Sequence, residues 1–227
     1  MKDKTANKKE PPQALRIEPR WPVALTMLAV LFLLVELPER IRLLPVWFPY
    51  VAVIAVLSSM AAVTLTTANA QWLRIERTIV LLFYVVTVVG ALLSLVYLIN
   101  EMVNQSKDLS GLQLLTSSIA VWVINVFGFS LLYWQIDCGG PEARMNNMGT
   151  RPDWLFPQTD VPEDAPPDWR PTFVDYLFLA FTTATAFSPT DALPLTSRAK
   201  LMMMLESAIS LTTIVVVASR AINILGS

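Results

Sequence analysis

Long uncharged apolar stretches, separated by shorter polar ones, dominate the hydrophobic pattern of this 227-residue chain. A helix needs ~20 apolar residues to cross the ~30 Å hydrocarbon core of a bilayer. Five stretches approach or exceed this length, at residues 21–37, 43–66, 78–99, 112–135 and 201–225. The pattern therefore predicts an all-α fold, a polytopic membrane helical bundle with about five spans.

A further apolar stretch, residues 172–185, is too short to cross a bilayer comfortably. Its 14 residues extend ~21 Å as a helix. Thr172 and Asp175 have the spacing of a helix-capping box. The polar turn that follows, residues 186–200, includes the helix breaker Pro189. Two interpretations stay open: a re-entrant pore-like helix, or a short sixth span.

Composition narrows the possible chemistry. Apolar residues make up 54% of the chain and charged residues 15%, whereas soluble domains average about 25% charged residues. The chain has no histidine and one cysteine, Cys138, which excludes His-ligated metals, histidine bases and intrachain disulfides. Glycine motifs for nucleotides are absent, and a net charge of −1 gives no basis for nucleic-acid binding. We predict no metal, no cofactor and no nucleic-acid partner.

Polar segments divide the chain into three regions. Residues 1–20 carry six Lys/Arg and three acids, and their composition predicts a disordered basic N-terminal tail. Residues 21–110 form a three-helix membrane region. Residues 111–227 form a pore-like module that consists of helix 112–135, loop 136–171, short pore helix 172–185, filter-like turn 186–200 and final helix 201–225.

The loop at residues 136–171 is acidic and rich in proline. It contains seven prolines, seven acids and no lysine, so it cannot be helical over a long stretch. Structureless loops of this length are usually functional or disordered. Trp154, Phe156 and Trp169 suggest that it folds back onto the bundle. We keep two interpretations, an acidic cap over a pore mouth and a solvated linker.

Oxygen atoms are concentrated around the end of the short helix. Irregular backbone at membrane depth must be buried in protein or line a water-filled cavity, because lipid cannot satisfy its peptide groups. Hydroxyls and carbonyls there could replace part of a cation's hydration shell, and the carbonyl end of the helix adds partial negative charge. The hydroxyls concerned belong to Thr182, Thr183, Thr185 and Thr190.

Residues 176–200 resemble the pore region of potassium channels. An aromatic-rich helix, a Thr-Thr pair, a filter-like stretch, an aspartate and a Pro-x-Thr before a basic residue follow in that order. The tract "FTTATAFSPTD…PLTSRAK" also resembles an uncharacterised group of bacterial membrane proteins with a pore-loop-like C-terminus. The resemblance implies a pore loop shared by several subunits, a tetramer if it forms a pore, and a monovalent ion as a candidate ligand. It adds to the filter-like set Phe187, Ser188, Pro189 and Asp191.

The stretch departs from the potassium-channel filter at both glycines. Ser188 and Thr190 stand at those positions, and glycine is the residue that permits the positive-φ backbone of such a filter. Pro189 fixes φ near about −65° and lacks an amide hydrogen. Potassium selectivity is therefore not carried over, and the permeant ion stays unassigned.

One polar stripe runs along the final helix. Glu206, Ser210, Thr213 and Arg220 lie within ~80° of one another at 100° per residue. Ionisable groups inside a span are costly and point to function by default. The stripe either lines a conduction path or joins neighbouring helices, with the arginine reaching the headgroups.

These patterns predict an oligomeric pore-loop channel-like protein in the plasma or inner membrane. The alternative is a non-conducting membrane scaffold or binding protein of the same fold. Enzyme activity is not expected, because intramembrane ionisable groups are too few and too far apart. Lys/Arg counts favour a cytoplasmic N-terminus, and four spans would then place the acidic loop inside as well, although a lysine-free loop fits the outside better.

Overall fold

The structure, a computed structural model, describes residues 18–37, 45, 47–65, 70–103, 111–146, 149, 151–186 and 192–225. Helix accounts for 80% of it, which confirms the all-α prediction. The eight helices of these residues are α1 (Trp21–Glu36), α2 (Trp47–Leu65), α3 (Ala70–Val103), α4 (Gly111–Ile136), α5 (Pro141–Met145), α6 (Pro157–Asp160), α7 (Phe173–Ala186) and α8 (Ser197–Leu225). Two short antiparallel strands are β1 (Trp154–Leu155) and β2 (Leu193–Pro194).

Three helices in the described part of the chain are long and apolar enough to cross a membrane. Their apolar segments are 21, 25 and 23 residues long, Arg77–Tyr97, Leu115–Gly139 and Ser197–Ser219. Shorter apolar helices are Trp21–Glu36, Trp47–Ser58 and Phe173–Thr185. These lengths are consistent with a membrane protein.

Helix α4 lies at the centre of the bundle and contacts α1, α3, α7 and α8. Every residue from 128 to 135 is buried, as expected for a helix that is enclosed on all sides. The rings of Tyr84 in α3 and Phe129 in α4 are 5.8 Å apart between centroids. Arg77 donates from Nη1 to the carbonyl oxygen of Gly139 at 3.0 Å. Helix α3 therefore runs antiparallel to α4.

Helix α7 also runs antiparallel to α4 and is much shorter. The rings of Phe173 and Trp134 are 6.0 Å apart between centroids, near the end of α4. The rings of Phe181 and Trp122 are 6.2 Å apart, near the middle of α4. The 14 residues of α7 therefore start at one end of the bundle and stop about halfway along it.

The described residues of 137–171, called the cap below, fold onto the end of the bundle where α4 stops. Gly139 and Gly140 adopt positive φ of 85° and 111° and turn the chain back after α4. Asp137, Arg144 and Asp153 are buried, whereas residues 157–164 are exposed. The solvated-linker interpretation is therefore wrong for the buried part of the cap, because its polar groups are paired with the bundle.

Asp153 joins the cap to the start of α8. Its carboxylate accepts hydrogen bonds from Nε and Nη2 of Arg198 at 2.6 and 2.5 Å and from Oγ1 of Thr196 at 2.5 Å. In the strand pair, Trp154 lies opposite Pro194. The chain just before α8 is thus held at the same end of the bundle as the start of α7.

The predicted boundary of the disordered tail at residue 20 is wrong. Glu18 and Arg20 are only 3% and 7% exposed. Arg20 forms an ion pair with Glu142 of α5, and Glu18 accepts a hydrogen bond from the indole nitrogen of Trp134 at 2.9 Å. Both partners are distant in sequence, so tail composition could not indicate them. The rest of the predicted tail, residues 1–17, lies outside the described residues.

Replacing Asp153 with asparagine removes the buried charge that holds Arg198 and Thr196. We expect Asp153→Asn to lose about 1–3 kcal/mol of unfolding free energy, the cost of buried polar groups without partners. Denaturant titration in detergent measures this loss. Asp164→Asn, on the exposed part of the cap, is the matched control and should stay within about 0.5 kcal/mol of wild type. Equal stability of the two variants would contradict the role of Asp153.

Candidate functional site

The candidate site is the C-terminal end of α7, which lies beside the middle of α4 and α8. The last four carbonyl groups of an α-helix have no partner within the helix, and burying one unpaired costs about as much as a lost hydrogen bond. Two of these carbonyls in α7 accept hydrogen bonds from α8. Ser207 Oγ donates to Thr183 O at 3.4 Å, and Ser210 Oγ donates to Ala184 O at 2.7 Å.

Ser210 links three helices through one buried hydroxyl group. The hydroxyl donates to Ala184 of α7 and accepts a hydrogen bond from Nε1 of Trp122 in α4 at 2.6 Å. A serine hydroxyl has one hydrogen to donate and lone pairs to accept with, so both contacts form together. The end of α7 is therefore fixed against both of its neighbours.

The described part of the polar stripe predicted on the final helix faces the interior of the chain. Glu206, Ser210 and Thr213 are fully buried. The hydroxyl of Thr213 donates to Ile209 O of its own helix at 2.8 Å, while the side chain of Arg220 lies outside the described residues. The contacts of Ser210 join helices within one chain, whereas that of Thr213 stays within α8. A pore-lining role for the stripe in an assembly stays a prediction.

Only part of the filter-like set can be located. Residues 187–191, which include Phe187, Ser188, Pro189, Thr190 and Asp191, lie outside the described residues. The hydroxyls of Thr182, Thr183 and Thr185 each donate to a carbonyl about one turn earlier in α7, at 2.8–3.0 Å. The side chain of Thr183 is buried and that of Thr185 is exposed.

Two boundaries of the pore-like module differ from the prediction. Helix α8 begins at Ser197, four residues before the predicted start at 201, because Thr196 is held by the cap and its hydroxyl accepts a hydrogen bond from the amide of Ala199 at 3.2 Å. Helix α7 ends at Ala186. The connection between the two helices is therefore 187–196 rather than 186–200.

Glu18 holds the other end of α7. Its Oε1 accepts a hydrogen bond from the amide of Phe173 at 2.6 Å, and its Oε2 accepts from Nη2 of Arg144 at 3.4 Å. Negative charge is favourable at a helix N-terminus. Burial raises the pKa of the Glu18 carboxyl above its ordinary value, while Trp134, Arg144 and the Phe173 amide act in the opposite direction.

The capping pair predicted at the start of α7 is confirmed. The amide and the hydroxyl of Thr172 both donate to Oδ2 of Asp175, at 2.7 and 2.9 Å. This contact spans three residues, so it depends on local sequence alone.

Arg144 fixes the cap over α7 and the end of α4. Its Nε donates to Pro171 O at 3.1 Å, and its Nη1 donates to the carbonyl oxygens of Trp134 and Asp137, both at 3.2 Å. The guanidinium carbon lies 4.7 Å from the ring centroid of Tyr176. Arginine suits this position because its five donors lie in one plane and its face stacks on aromatic rings.

A cavity of about 400 Å³ lies within the cap. Its lining includes the aromatic residues Trp154, Phe156 and Trp169, together with Asp137 and Arg144. Cavities that hold small molecules have volumes of roughly 300–1,000 Å³ and combine apolar walls with a few polar groups. The cap cavity has these properties.

No family model matches the chain, and no curated protein or solved structure matches it significantly. The likeness to potassium-channel pores therefore depends on the residues of the C-terminal region alone.

Sequence reasoning missed several residues that hold α7. Ser207 is one position from the predicted stripe, and a small hydroxyl residue in an apolar helix was a usable signal of a helix contact. Glu18 lies 155 residues from Phe173, and Trp122 lies 88 residues from Ser210. No local pattern indicates pairs so far apart.

Replacing Ser210 with alanine leaves the Ala184 carbonyl and the Trp122 indole without their shared partner. We expect Ser210→Ala to lower the unfolding free energy in detergent by about 1–3 kcal/mol, the cost of buried unsatisfied groups. Thr212→Val is the control, since that exposed hydroxyl bonds only to Ala208 O of its own helix. A loss as large in Thr212→Val as in Ser210→Ala would contradict the interhelical role.

Proposed function

We propose that the chain is an oligomeric pore-loop channel-like protein of the plasma or inner membrane. In this proposal α7 is the pore helix, and residues 187–191 follow it as the filter-like segment. One observation carries the proposal. Helix α7 ends at the middle of the bundle, whereas both its start and strand β2 are held at the cap end.

The dimensions of the segment support a re-entrant path. Helix α7 extends ~21 Å, which falls short of the ~30 Å hydrocarbon core. Seven Cα-to-Cα steps separate Ala186 from Leu193 and can reach at most ~25 Å. The chain is therefore long enough to return to the cap end along the full length of α7.

The proposed topology has five crossings, α1, α2, α3, α4 and α8, with α7 re-entrant between the last two. Glu18 contacts the cap through Arg144, so the start of α1 and the cap share one side of the membrane. The 1–20 region carries six Lys/Arg, and positive charge near spans is enriched on the cytoplasmic side. We therefore place the cap on the cytoplasmic side.

The proposed assembly is a homo-oligomer in the bilayer, a tetramer if it encloses a pore. The glycine-free filter-like segment argues against a potassium-type carbonyl ladder, so the permeant ion, a monovalent ion in the simplest case, stays open. The proposal includes no catalytic role.

A non-conducting scaffold or binding protein of the same fold is the second candidate. Two observations favour it. The described part of the polar stripe of α8, Glu206, Ser210 and Thr213, is buried against protein within one chain, so it does not require a water-filled path. The cap contains an open cavity of about 400 Å³ with aromatic residues in its lining, which suits a small-molecule ligand.

Ion flux through liposomes that contain the purified chain separates the two candidates. The channel proposal predicts flux of at least one common cation, and a several-fold lower flux for Asp191→Asn, because the proposed filter-like segment then loses a negative charge that concentrates cations. Asp164→Asn, on the exposed part of the cap, should conduct as wild type does. Absence of flux for all common cations and anions, with a strict monomer in detergent, would contradict the channel and favour the second candidate.

Thiol labelling tests the re-entrant path directly. On a Cys138→Ala background, Thr172→Cys and Leu193→Cys place single thiols at the exposed ends of the segment. An impermeant thiol reagent should label both from the same side of oriented membranes, and from the side opposite to Leu112→Cys at the start of α4. Labelling of the first two from opposite sides would show that α7 crosses the membrane.

A further inference from the structure

Glu206 is a carboxyl group in the interior of an apolar bundle. It lies in α8, within the segment Ser197–Ser219 that is long and apolar enough to span a membrane, and it is 0% exposed. Its Oε2 accepts a hydrogen bond from the hydroxyl of Tyr133 at 2.5 Å. Among the residues that the structure describes, its Oε1 has no hydrogen-bond partner.

The described groups around Glu206 supply no compensating charge. Tyr133 of α4 is in contact with it, and Tyr84 of α3 lies within electrostatic range. In the described part of the chain no lysine or arginine pairs with it. Arg198 lies eight residues earlier, ~12 Å along the helix, and is bound to Asp153.

An ionised carboxylate is expensive in such surroundings. A buried charge without a paired charge costs far more than a buried neutral group, and carboxyl groups in this position take up a proton instead. A carboxylate also has about four acceptor sites, of which a single donor, Tyr133, serves one here. The neutral acid needs fewer donors and gains a hydroxyl of its own.

Asn125 provides an unused acceptor on the facing helix. Its Nδ2 donates to the carbonyl oxygen of Glu206 at 3.4 Å, so the two residues are neighbours. Its Oδ1 is buried and lacks a hydrogen-bond donor among the described residues. Both Oδ1 of Asn125 and Oε1 of Glu206 lack a hydrogen-bond partner among the described residues. A proton on Glu206 supplies the donor that these two oxygens lack.

We propose that Glu206 is a proton-binding site inside the bundle and carries its proton on Oε1 in the folded protein. The site is adjacent to the contact that holds α7, because Ser207 and Ser210 follow Glu206 within about one helical turn. Loss of the proton places an unpaired charge beside that contact and weakens it. The proton is therefore coupled to the position of the end of α7, whether or not the protein conducts ions.

Infrared spectroscopy of the purified protein at neutral pH tests this proposal. The carbonyl stretch of a protonated carboxylic acid is absent from a carboxylate, and we expect part of this band to disappear in Glu206→Gln. Glu18, whose pKa is raised by burial, can add to the same band, so the difference between variants is the measured quantity. Glu142→Gln, an acid of the cap that is paired with Arg20, should leave the band unchanged. A band that is the same in wild type and Glu206→Gln overturns the proposal.

Thermal stability across pH provides a second measurement. Glutamine mimics the neutral acid but needs no proton uptake on folding, so Glu206→Gln should unfold at the same temperature as wild type only in acid, below the ordinary pKa of glutamate, where Glu206 is protonated in the unfolded chain as well. As the pH rises from there to neutral, wild type should lose stability relative to Glu206→Gln, because its unfolded chain releases the Glu206 proton while its folded chain retains it. A Glu206→Gln variant that is much less stable than wild type at neutral pH, with the difference constant across pH, would show that the carboxylate itself is required and would overturn the proposal.

Discussion

Carbonyl groups at a helix end inside an apolar bundle must find hydrogen-bond donors within the protein. This requirement decides which residues the end of α7 contacts. Neither lipid nor a purely apolar neighbour can satisfy these carbonyl groups. Ser207 and Ser210 of α8 supply the donors, and Trp122 of α4 completes the hydrogen bonding of Ser210. The position of the helix end thus depends on two hydroxyl groups and one indole.

The start of α7 is held by different chemistry. Its first amides face the cap, where the Glu18 carboxylate accepts from Phe173 and Arg144 binds several carbonyls at once. Charged groups can serve here because they pair with one another, whereas neutral hydroxyls serve in the interior, where an unpaired charge would be too costly. A helix anchored in these two ways can remain half the length of its neighbours.

Burial of Glu206, Ser210 and Thr213 decides which residues of α8 remain on its exposed face. Glu206 and Ser210 are used within the chain, so the exposed face of α8 is left largely apolar, with residues such as Leu205, Leu211 and Val215. That face suits lipid or the apolar face of another copy. The sequence left two roles open for the stripe, a conduction path and contacts between helices, and the contacts of Ser210 with α7 and α4 are of the second kind.

The sequence by itself determined the apolar helices and the short length of α7, predicted at 172–185 and observed at Phe173–Ala186. It also determined the helix-capping pair Thr172 and Asp175, because apolar run length, helix breakers and helix capping act over a few neighbouring residues. Only the tertiary structure decided where each polar group finds its partner. Ser210 meets Ala184 across 26 residues, and Glu18 meets Phe173 across 155. Such pairs depend on how the helices pack, and many different packings are compatible with the same local pattern.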